Sequence, residues 1–319
     1  MNRRAFLAAT TAAALVPLAR AQNPSAAVAP AATPSATPAT APAVGKRRAH
    51  KKGFMYGTLR GPTAEKLGVL ERFQLLRAAG FDGVEVNSAM NQAEVLAARD
   101  ATGLAIPSVV ISTHWLKPLT DPNPATRETG LEGLKQGLRD AKAYGASSVL
   151  LVPGKVTKEV SYADAYARAT AEIAKAVPLA ESLGIVIAIE NVWNLFLLSP
   201  LEAVAFVDSF KSPFVRWHFD VGNIVNTGWP EHWIRQLGPR IAQIHVKEYS
   251  RKLRDEKGPF AGFNLDLLEG DSDWPKVMAA LDEVGYTGWM ITEQYRPPGF
   301  EDAAWLAHLA KKLDQVIAS

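Results

Sequence analysis

The stretch IAIENVWN, residues Ile187 to Asn194, begins as an apolar, β-branched run and ends on polar and aromatic side chains. The apolar part predicts a buried parallel strand, because such strands are covered on both faces. Glu190 follows directly, and an unpaired buried carboxylate is very costly. The sequence therefore predicts that Glu190 ends a core strand beside groups that compensate its charge.

Three later stretches repeat this pattern. Asp220 ends the apolar run in WHFDVGN, His245 lies in AQIHVKE, and Glu293 lies in WMITEQY. Three carboxylates and one imidazole form an oxygen-rich ligand set that suits Mn²⁺ or Mg²⁺, with Co²⁺ or Zn²⁺ as alternatives. We therefore expect these three strand ends and Glu190 to share one divalent metal ion.

Strand-like and helix-like patterns alternate eight times within residues 53–319. The predicted strands are 54–59, 83–87, 106–113, 148–152, 185–192, 215–221, 241–246 and 289–292. This alternation implies a parallel sheet, and eight units in about 250 residues are typical of a (β/α)₈ TIM barrel. A doubly wound open sheet is the alternative, but it would hold its ligand at one switch point. The predicted fold class is α/β, with a single barrel.

The N-terminal segment predicts export. Residues 1–21 have a twin-arginine signal pattern, with Arg3 and Arg4 before an apolar stretch and an A-x-A cleavage site that ends at Ala21. An ordinary Sec signal peptide is the alternative. Residues 22–52 are rich in Pro, Ala, Thr and Ser and are predicted to be a disordered linker. The expected partner is the twin-arginine export machinery, and the expected location is the periplasm.

The composition of the chain excludes several classes of function. The chain has no cysteine, which excludes thiolate catalysis, Cys-ligated metals and a lipoprotein anchor. No apolar run reads as a membrane span of the mature protein, so no stable membrane anchor is expected. Eight of the 35 Lys and Arg residues lie in residues 1–52, where there is no acidic residue, so residues 53–319 with 32 Asp and Glu carry about −5. A mildly acidic domain argues against nucleic-acid binding.

Six further side chains are expected to bind substrate at the mouth of the barrel. They are Glu85, His114, Trp193, Asn194, Asn223 and Lys247. A buried ion pair between Glu85 and His114 is an alternative interpretation of those two residues. A salt bridge to Glu248 or Asp271 is the alternative for Lys247.

The motifs IAIENVWN, HFDVGN, IHVKE and GYTGWMITE together resemble the sugar phosphate isomerase/epimerase family. This is the xylose isomerase-like TIM barrel superfamily, which includes ketose 3-epimerases, and the resemblance covers residues 54–317. By resemblance, the metal ligands are Glu190, Asp220, His245 and Glu293. The two glutamates are then the catalytic acid/base pair. One removes the proton next to a carbonyl, and the other returns a proton on the opposite face.

The implied function is a metal-dependent sugar epimerase or isomerase. It would act through a metal-bound enediolate on a free ketose, a keto-sugar or a keto-glycoside. The alternatives are a lyase of the inosose dehydratase type, a metal hydrolase such as an AP endonuclease, and a non-catalytic sugar-binding barrel. Asn223 departs from the family pattern, since ketose 3-epimerases usually carry His there. The sequence leaves open the sugar, the metal and whether the chain forms a homo-oligomer.

Overall fold

Eight parallel strands form a closed barrel, in chain order, in the computed structural model, which describes residues 48–297 and 299–319. The strands are β1 (Lys51–Met55), β2 (Gly83–Asn87), β3 (Ser108–Val110), β4 (Ser148–Leu151), β5 (Val186–Glu190), β6 (Val215–Asp220), β7 (Ile241–Val246) and β8 (Trp289–Thr292). This confirms the predicted TIM barrel. The predicted signal peptide, residues 1–21, and residues 22–47 of the predicted linker lie outside the described residues.

Ten α-helices surround the strands within the described residues. They are α1 (Val69–Ala79), α2 (Gln92–Thr102), α3 (Pro124–Tyr144), α4 (Tyr162–Leu183), α5 (Pro200–Ser209), α6 (Val221–Val225), α7 (Pro230–Leu237), α8 (Arg251–Lys257), α9 (Trp274–Glu283) and α10 (Asp302–Ala318). Glycines end several of them. Gly145 and Gly184 do so with φ of 77° and 70°, a left-handed conformation that glycine adopts without steric cost.

Two short helices were not predicted from the sequence. Helix α6 follows Asp220, whose Oδ1 accepts a hydrogen bond from the backbone N–H of Asn223 at 2.7 Å. Helix α8 lies in the segment after β7 that was expected to be a loop. It is capped by Ser250, whose Oγ accepts the N–H of Leu253 at 3.2 Å. In both helices a side-chain oxygen caps the N-terminus by accepting a backbone N–H of the first turn.

The barrel begins earlier than residue 53. Strand β1 pairs with β8 from Lys51 onward, so residues 51 and 52 belong to the sheet and not to the linker. Arg48 is also anchored: its Nη1 donates to the carbonyl oxygens of Ile317 and Ser319, each at 2.7 Å, and its Nη2 contacts Asp282 at 3.0 Å. Residues 48–52 belong to the segment that was predicted to be a disordered linker, but these long-range partners hold Arg48 against the barrel.

Arg48→Ala should lower the free energy of unfolding by about 1–3 kcal/mol, because two backbone oxygens and one carboxylate lose a nearly buried, charged donor. Arg235→Ala is the matched control, since Arg235 forms an exposed pair with Glu283 that should contribute little to stability. Urea unfolding followed by circular dichroism measures both values. Equal effects of the two substitutions would contradict the anchoring role of Arg48.

The core lies between the strands and the helices. Fully buried aromatic side chains such as Phe54, Phe206, Trp217 and Trp305 fill this layer. Among the described residues, none of the helices combines the length and the apolar character needed to cross a membrane. Packing around the strands therefore leaves their C-terminal ends as the place where polar side chains gather.

Candidate active site

Four side chains from neighbouring strands meet at the C-terminal end of the barrel. Glu190 ends β5, Asp220 ends β6, His245 lies near the end of β7, and Glu293 follows β8. One possible ligand atom of each lies within 4.8 Å of those of the other three. His245 Nδ1 is 3.1 Å from Glu190 Oε1 and 3.3 Å from Glu293 Oε2. The structure thus brings together the four groups that the sequence singled out.

The turn after β6 is built to hold Asp220 in this cluster. The side chain of Asn191 donates to the carbonyl oxygen of Asp220 at 2.7 Å and accepts its N–H at 3.0 Å. Gly222 packs so closely on β7 that an added Cβ would lie 2.6 Å from the carbonyl oxygen of Lys247. The shape of this turn therefore depends on residues of the DVGN motif and on the amide that follows Glu190.

Burial and charge separate the pKa values of the acidic groups. Burial raises the pKa of Glu190. Burial also raises the pKa of Asp220, to about 7, despite the nearby Lys247. For Glu293 burial is outweighed, and Lys247 and His245 hold its pKa well below the usual range. Pairs of carboxyl groups with opposite shifts are typical of acid/base sites.

The cluster fits a divalent cation. Its donors are carboxylate oxygens and one imidazole nitrogen, the ligands that such ions prefer in oxygen-rich sites. Asp220 Oδ2 is fully buried and contacts Lys247 Nζ at 2.9 Å, but this contact is not aligned as a hydrogen bond. Within the described residues that oxygen has no hydrogen-bond donor, as expected of an atom that serves as a ligand.

Lys247 and Glu293 form the ion pair nearest the cavity. Lys247 Nζ donates to Glu293 Oε2 at 2.7 Å and lies 5.2 Å from the centre of the Phe263 ring. Burial alone would lower the pKa of Lys247, but Asp220 and Glu293 raise it. Its partners are therefore the site carboxylates and not Glu248 or Asp271, the alternatives considered from the sequence.

Glu85 was predicted to bind substrate, but it is completely buried below the cluster and does not line the cavity above it. Its Oε2 lies 2.7 Å from Nε2 of His245. This contact takes the place of the ion pair with His114 that was the alternative interpretation. A carboxylate that holds the far nitrogen of a ligand histidine orients the imidazole towards a metal. Glu85 is thus placed to fix the ring of His245.

His218 completes this buried layer. Its ring centre lies 4.1 Å from that of His245, and its Nδ1 is 3.9 Å from Glu85 Oε1. Burial holds the pKa of His218 well below its usual value, so the ring is neutral. Neither ring nitrogen has a hydrogen-bond partner within residues 48–297 and 299–319. Glu85, His218 and His245 also lie close enough for a second cation, although His245 would then be shared by both groups.

His114 faces the cavity above the cluster. Its Nδ1 accepts the backbone N–H of Val152 at 3.1 Å, and burial lowers its pKa to about 4. The ring is therefore neutral, and the proton must be on Nε2. His114 lines the same cavity as Glu293, so it can donate a hydrogen bond to an oxygen of a ligand.

A cavity of about 540 Å³ opens above the cluster. Trp193, Asn223 and Lys247 line it, as predicted, together with Glu190 and Glu293. Asn194 does not reach it. Its amide donates to the carbonyl oxygen of Gly154 at 2.6 Å and holds the loop after β5 together. No local sequence pattern predicts this loop contact, because it joins residues 40 positions apart.

Several lining residues were missed by sequence reasoning. They are Met55, Val110, Trp115, Leu150, Val192, Phe260, Phe263, Asn264 and Tyr295. Phe260 and Phe263 belong to the segment after β7, and their rings lie 5.3 Å and 5.0 Å from that of Trp193. The position of Trp115 could have been predicted, because Trp115 directly follows His114. The cavity therefore has an apolar, aromatic wall opposite a charged floor.

The family model for the xylose isomerase-like TIM barrel matches residues 73–315. The chain belongs to this family. Among curated relatives of this xylose isomerase-like barrel is L-ribulose-5-phosphate 3-epimerase UlaE of Escherichia coli (strain K12 / DH10B). It is 26% identical over 265 residues, which are 78% of this chain and 89% of the relative. The enzyme of the same name from Salmonella paratyphi C (strain RKS4594) is 24% identical over 254 residues, or 75% and 86% of the two chains.

Solved structures share the fold of this xylose isomerase-like barrel. A D-psicose 3-epimerase, in the presence of D-fructose, has a TM-score of 0.69 and 19% identity, covering 84% of this chain and 100% of that chain. The 3-keto-D-glucoside 4-epimerase YcjR of E. coli has a TM-score of 0.68 and 15% identity, covering 84% and 98%. These likenesses establish the barrel and not the reaction.

Proposed function

We propose that the chain is a divalent-metal-dependent epimerase that acts on a ketose or keto-sugar. The observation that carries this proposal is the convergence of Glu190, Asp220, His245 and Glu293 beneath a cavity of sugar size. The names of the curated relatives, which are ribulose-phosphate 3-epimerases, support the same reaction class.

The two glutamates supply the proton transfers. Epimerisation next to a carbonyl needs a base on one face of the sugar and an acid on the other. Lys247 and His245 hold the pKa of Glu293 low, so it is a carboxylate that can take a proton, and Glu190 is the second carboxyl group of the pair. Both side chains line the cavity, so a bound sugar can contact both of them. Because epimerisation is reversible, the two groups exchange roles in the reverse direction.

The other groups bind the substrate oxygens. Asp220 and His245 would hold the cation with the two glutamates. A bound divalent ion would act as a Lewis acid for the negative charge that develops next to the carbonyl. Lys247 adds a fixed positive charge beside Glu293, and neutral His114 donates a hydrogen bond from Nε2. Asn223 can orient a hydroxyl group but cannot transfer a proton near neutral pH.

We further propose that the protein works in the periplasm after export by the twin-arginine machinery. The support is the Arg3-Arg4 pattern and the cleavage site at Ala21. Export of a folded protein would let the cation bind before the protein meets competing metals. Cell fractionation of the full-length chain, with Arg3 and Arg4 both changed to Lys in a control, tests this: retention of the control in the cytoplasm is expected.

Solvent-exchange measurements test the reaction. The metal-loaded protein should incorporate deuterium from D₂O next to the carbonyl of a ketose or keto-sugar and form a second epimer of otherwise unchanged mass. Nuclear magnetic resonance and mass spectrometry follow both events. A product 18 mass units lighter would indicate a dehydratase instead. A lack of exchange with free ketoses, ketose phosphates and keto-glycosides alike would overturn the proposal.

A further inference from the structure

The cavity above Glu190 and Glu293 continues sideways into a second one. We call the first the catalytic lobe, about 540 Å³, and the second the side lobe, about 470 Å³. The two lobes share the lining residues Met55, Val110, His114, Trp115, Glu293 and Tyr295. The mouth of the barrel therefore holds one continuous cleft with two compartments.

The cleft is larger than a single sugar requires. Ligand pockets commonly measure about 300–1,000 Å³, so either lobe alone could hold a small ligand. A monosaccharide whose reacting carbon lies between Glu190 and Glu293 occupies the catalytic lobe. It leaves the side lobe to another part of the same molecule or to solvent.

The side lobe has its own polar groups. It is lined by Gly57, Thr58, Arg60, Asn87, Ile111 and Ser112 in addition to the shared residues. Arg60 is exposed. Within the described part of the chain its side chain forms one hydrogen bond, from Nε to the carbonyl oxygen of Gly57 at 3.1 Å. Asn87 is the last residue of β2, and its amide has no hydrogen-bond partner among residues 48–297 and 299–319. The guanidinium fork and this amide are thus available to a ligand.

Aromatic rings lie where the two lobes join. Trp115 is 48% exposed and Tyr295 is 51% exposed, so both rings are open to a ligand. Exposed rings beside planar polar groups suit sugars, because the ring covers an apolar sugar face while the polar groups bind hydroxyls. A phosphate suits the side lobe poorly. Arg60 is the one Lys or Arg among its lining residues, His114 there is neutral, and the Glu293 carboxylate lines it too.

We propose that the side lobe is a subsite for a second sugar residue, so that the substrate is a keto-glycoside and not a free ketose. This inference rests on the proposed sugar chemistry of the catalytic lobe. Arg60 and Asn87 bind hydroxyls of the second sugar, and the joining rings cover its apolar face. The reacting keto-sugar remains between the two glutamates.

The test compares two substrates, a 3-keto-disaccharide and free 3-keto-glucose, by deuterium exchange with the metal-loaded protein. The ratio of their kcat/KM values should favour the disaccharide at least tenfold in the wild type. It should fall about three- to tenfold in Asn87→Ala and in Arg60→Ala, the loss expected from one hydrogen bond. Asn264→Ala is the matched control, because Asn264 lines the catalytic lobe and not the side lobe. It should lower both kcat/KM values together and leave their ratio unchanged.

A binding measurement separates failure of this subsite from failure of the proposed reaction. Calorimetric titration with the unoxidised parent disaccharide should show binding that weakens in Asn87→Ala, whether or not exchange is observed. An equal or better kcat/KM for the free sugar would overturn the subsite. So would a ratio that is the same in all four proteins, or a preference for a ketose phosphate that depends on Arg60.

Discussion

Glu293→Gln should reduce deuterium exchange from one epimer of the substrate by about 10²–10⁴, the usual contribution of a positioned general base. Glutamine preserves the shape of the side chain and an oxygen for a cation, but it cannot take a proton. Lys247 and His245 hold the pKa of Glu293 low against burial, which keeps Glu293 a carboxylate. Exchange in D₂O, followed by nuclear magnetic resonance, measures the loss.

Glu190→Gln should give a different result with the same epimer. Glu293 can still remove the proton and return deuterium on the same face, so this epimer should become labelled without forming the other one. With the opposite epimer as substrate the two variants should exchange their behaviour. Chromatography of the two epimers, together with exchange, distinguishes these cases.

The control for both variants is Glu269→Gln. Glu269 lies in the connection after β7, at the same end of the barrel, but its side chain is 58% exposed and contacts Lys312. It should exchange and epimerise as the wild type does. Metal content, measured by elemental analysis, must be equal across the set. Equal loss of exchange from both epimers in both site variants would contradict the assignment of one glutamate to each face.

The meeting of the four site residues could be predicted, because the position of a side chain along a strand of a parallel barrel follows from the sequence. In a parallel barrel all strands end at one rim, so groups that end consecutive strands must meet there. Glu190 and Asp220 are the last residues of their strands, and their position follows from the sequence. Glu85 is the third of five residues in β2, so it lies below the rim. The predicted strand, 83–87, already indicates that Glu85 lies below the rim. It does not indicate that His245 is the partner of Glu85.

The cavity wall was less predictable for a different reason. Phe260 and Phe263 lie in a short helical segment after α8, whose position depends on long-range contacts. One of these is the hydrogen bond from the N–H of Ser250 to the carbonyl oxygen of Gly262, at 2.7 Å. Asn194 likewise binds the carbonyl oxygen of Gly154 within the loop after β5 and does not line the cavity. Local sequence patterns carry no information about such contacts.

Glu85→Gln should weaken the binding of Mn²⁺ about 10- to 100-fold, the usual effect of losing an outer carboxylate behind a ligand histidine. Glu85 Oε2 lies 2.7 Å from His245 Nε2, which leaves Nδ1 facing Glu190, Asp220 and Glu293. The carboxylate accepts the Nε2 proton and fixes the tautomer with Nδ1 free to bind the cation. Glutamine keeps the shape but can also present its NH₂ group to Nε2, which would favour the wrong tautomer.

Glu172→Gln is the matched control, because Glu172 is also a buried carboxylate but pairs with Arg127 and Lys175 on the outer helices. Titration with Mn²⁺, followed by electron paramagnetic resonance of the free ion, should show weaker binding in Glu85→Gln alone, with one ion per chain in the wild type.

Binding of two ions per chain would assign the second ion to Glu85, His218 and His245. Glu85 would then be a metal ligand and not a residue that positions His245. That outcome would require His245 to bind through both ring nitrogens, whereas a single ion leaves Nε2 with Glu85. Unchanged affinity in a folded Glu85→Gln protein would show that His245 is oriented by its packing against His218, whose ring lies 4.1 Å away.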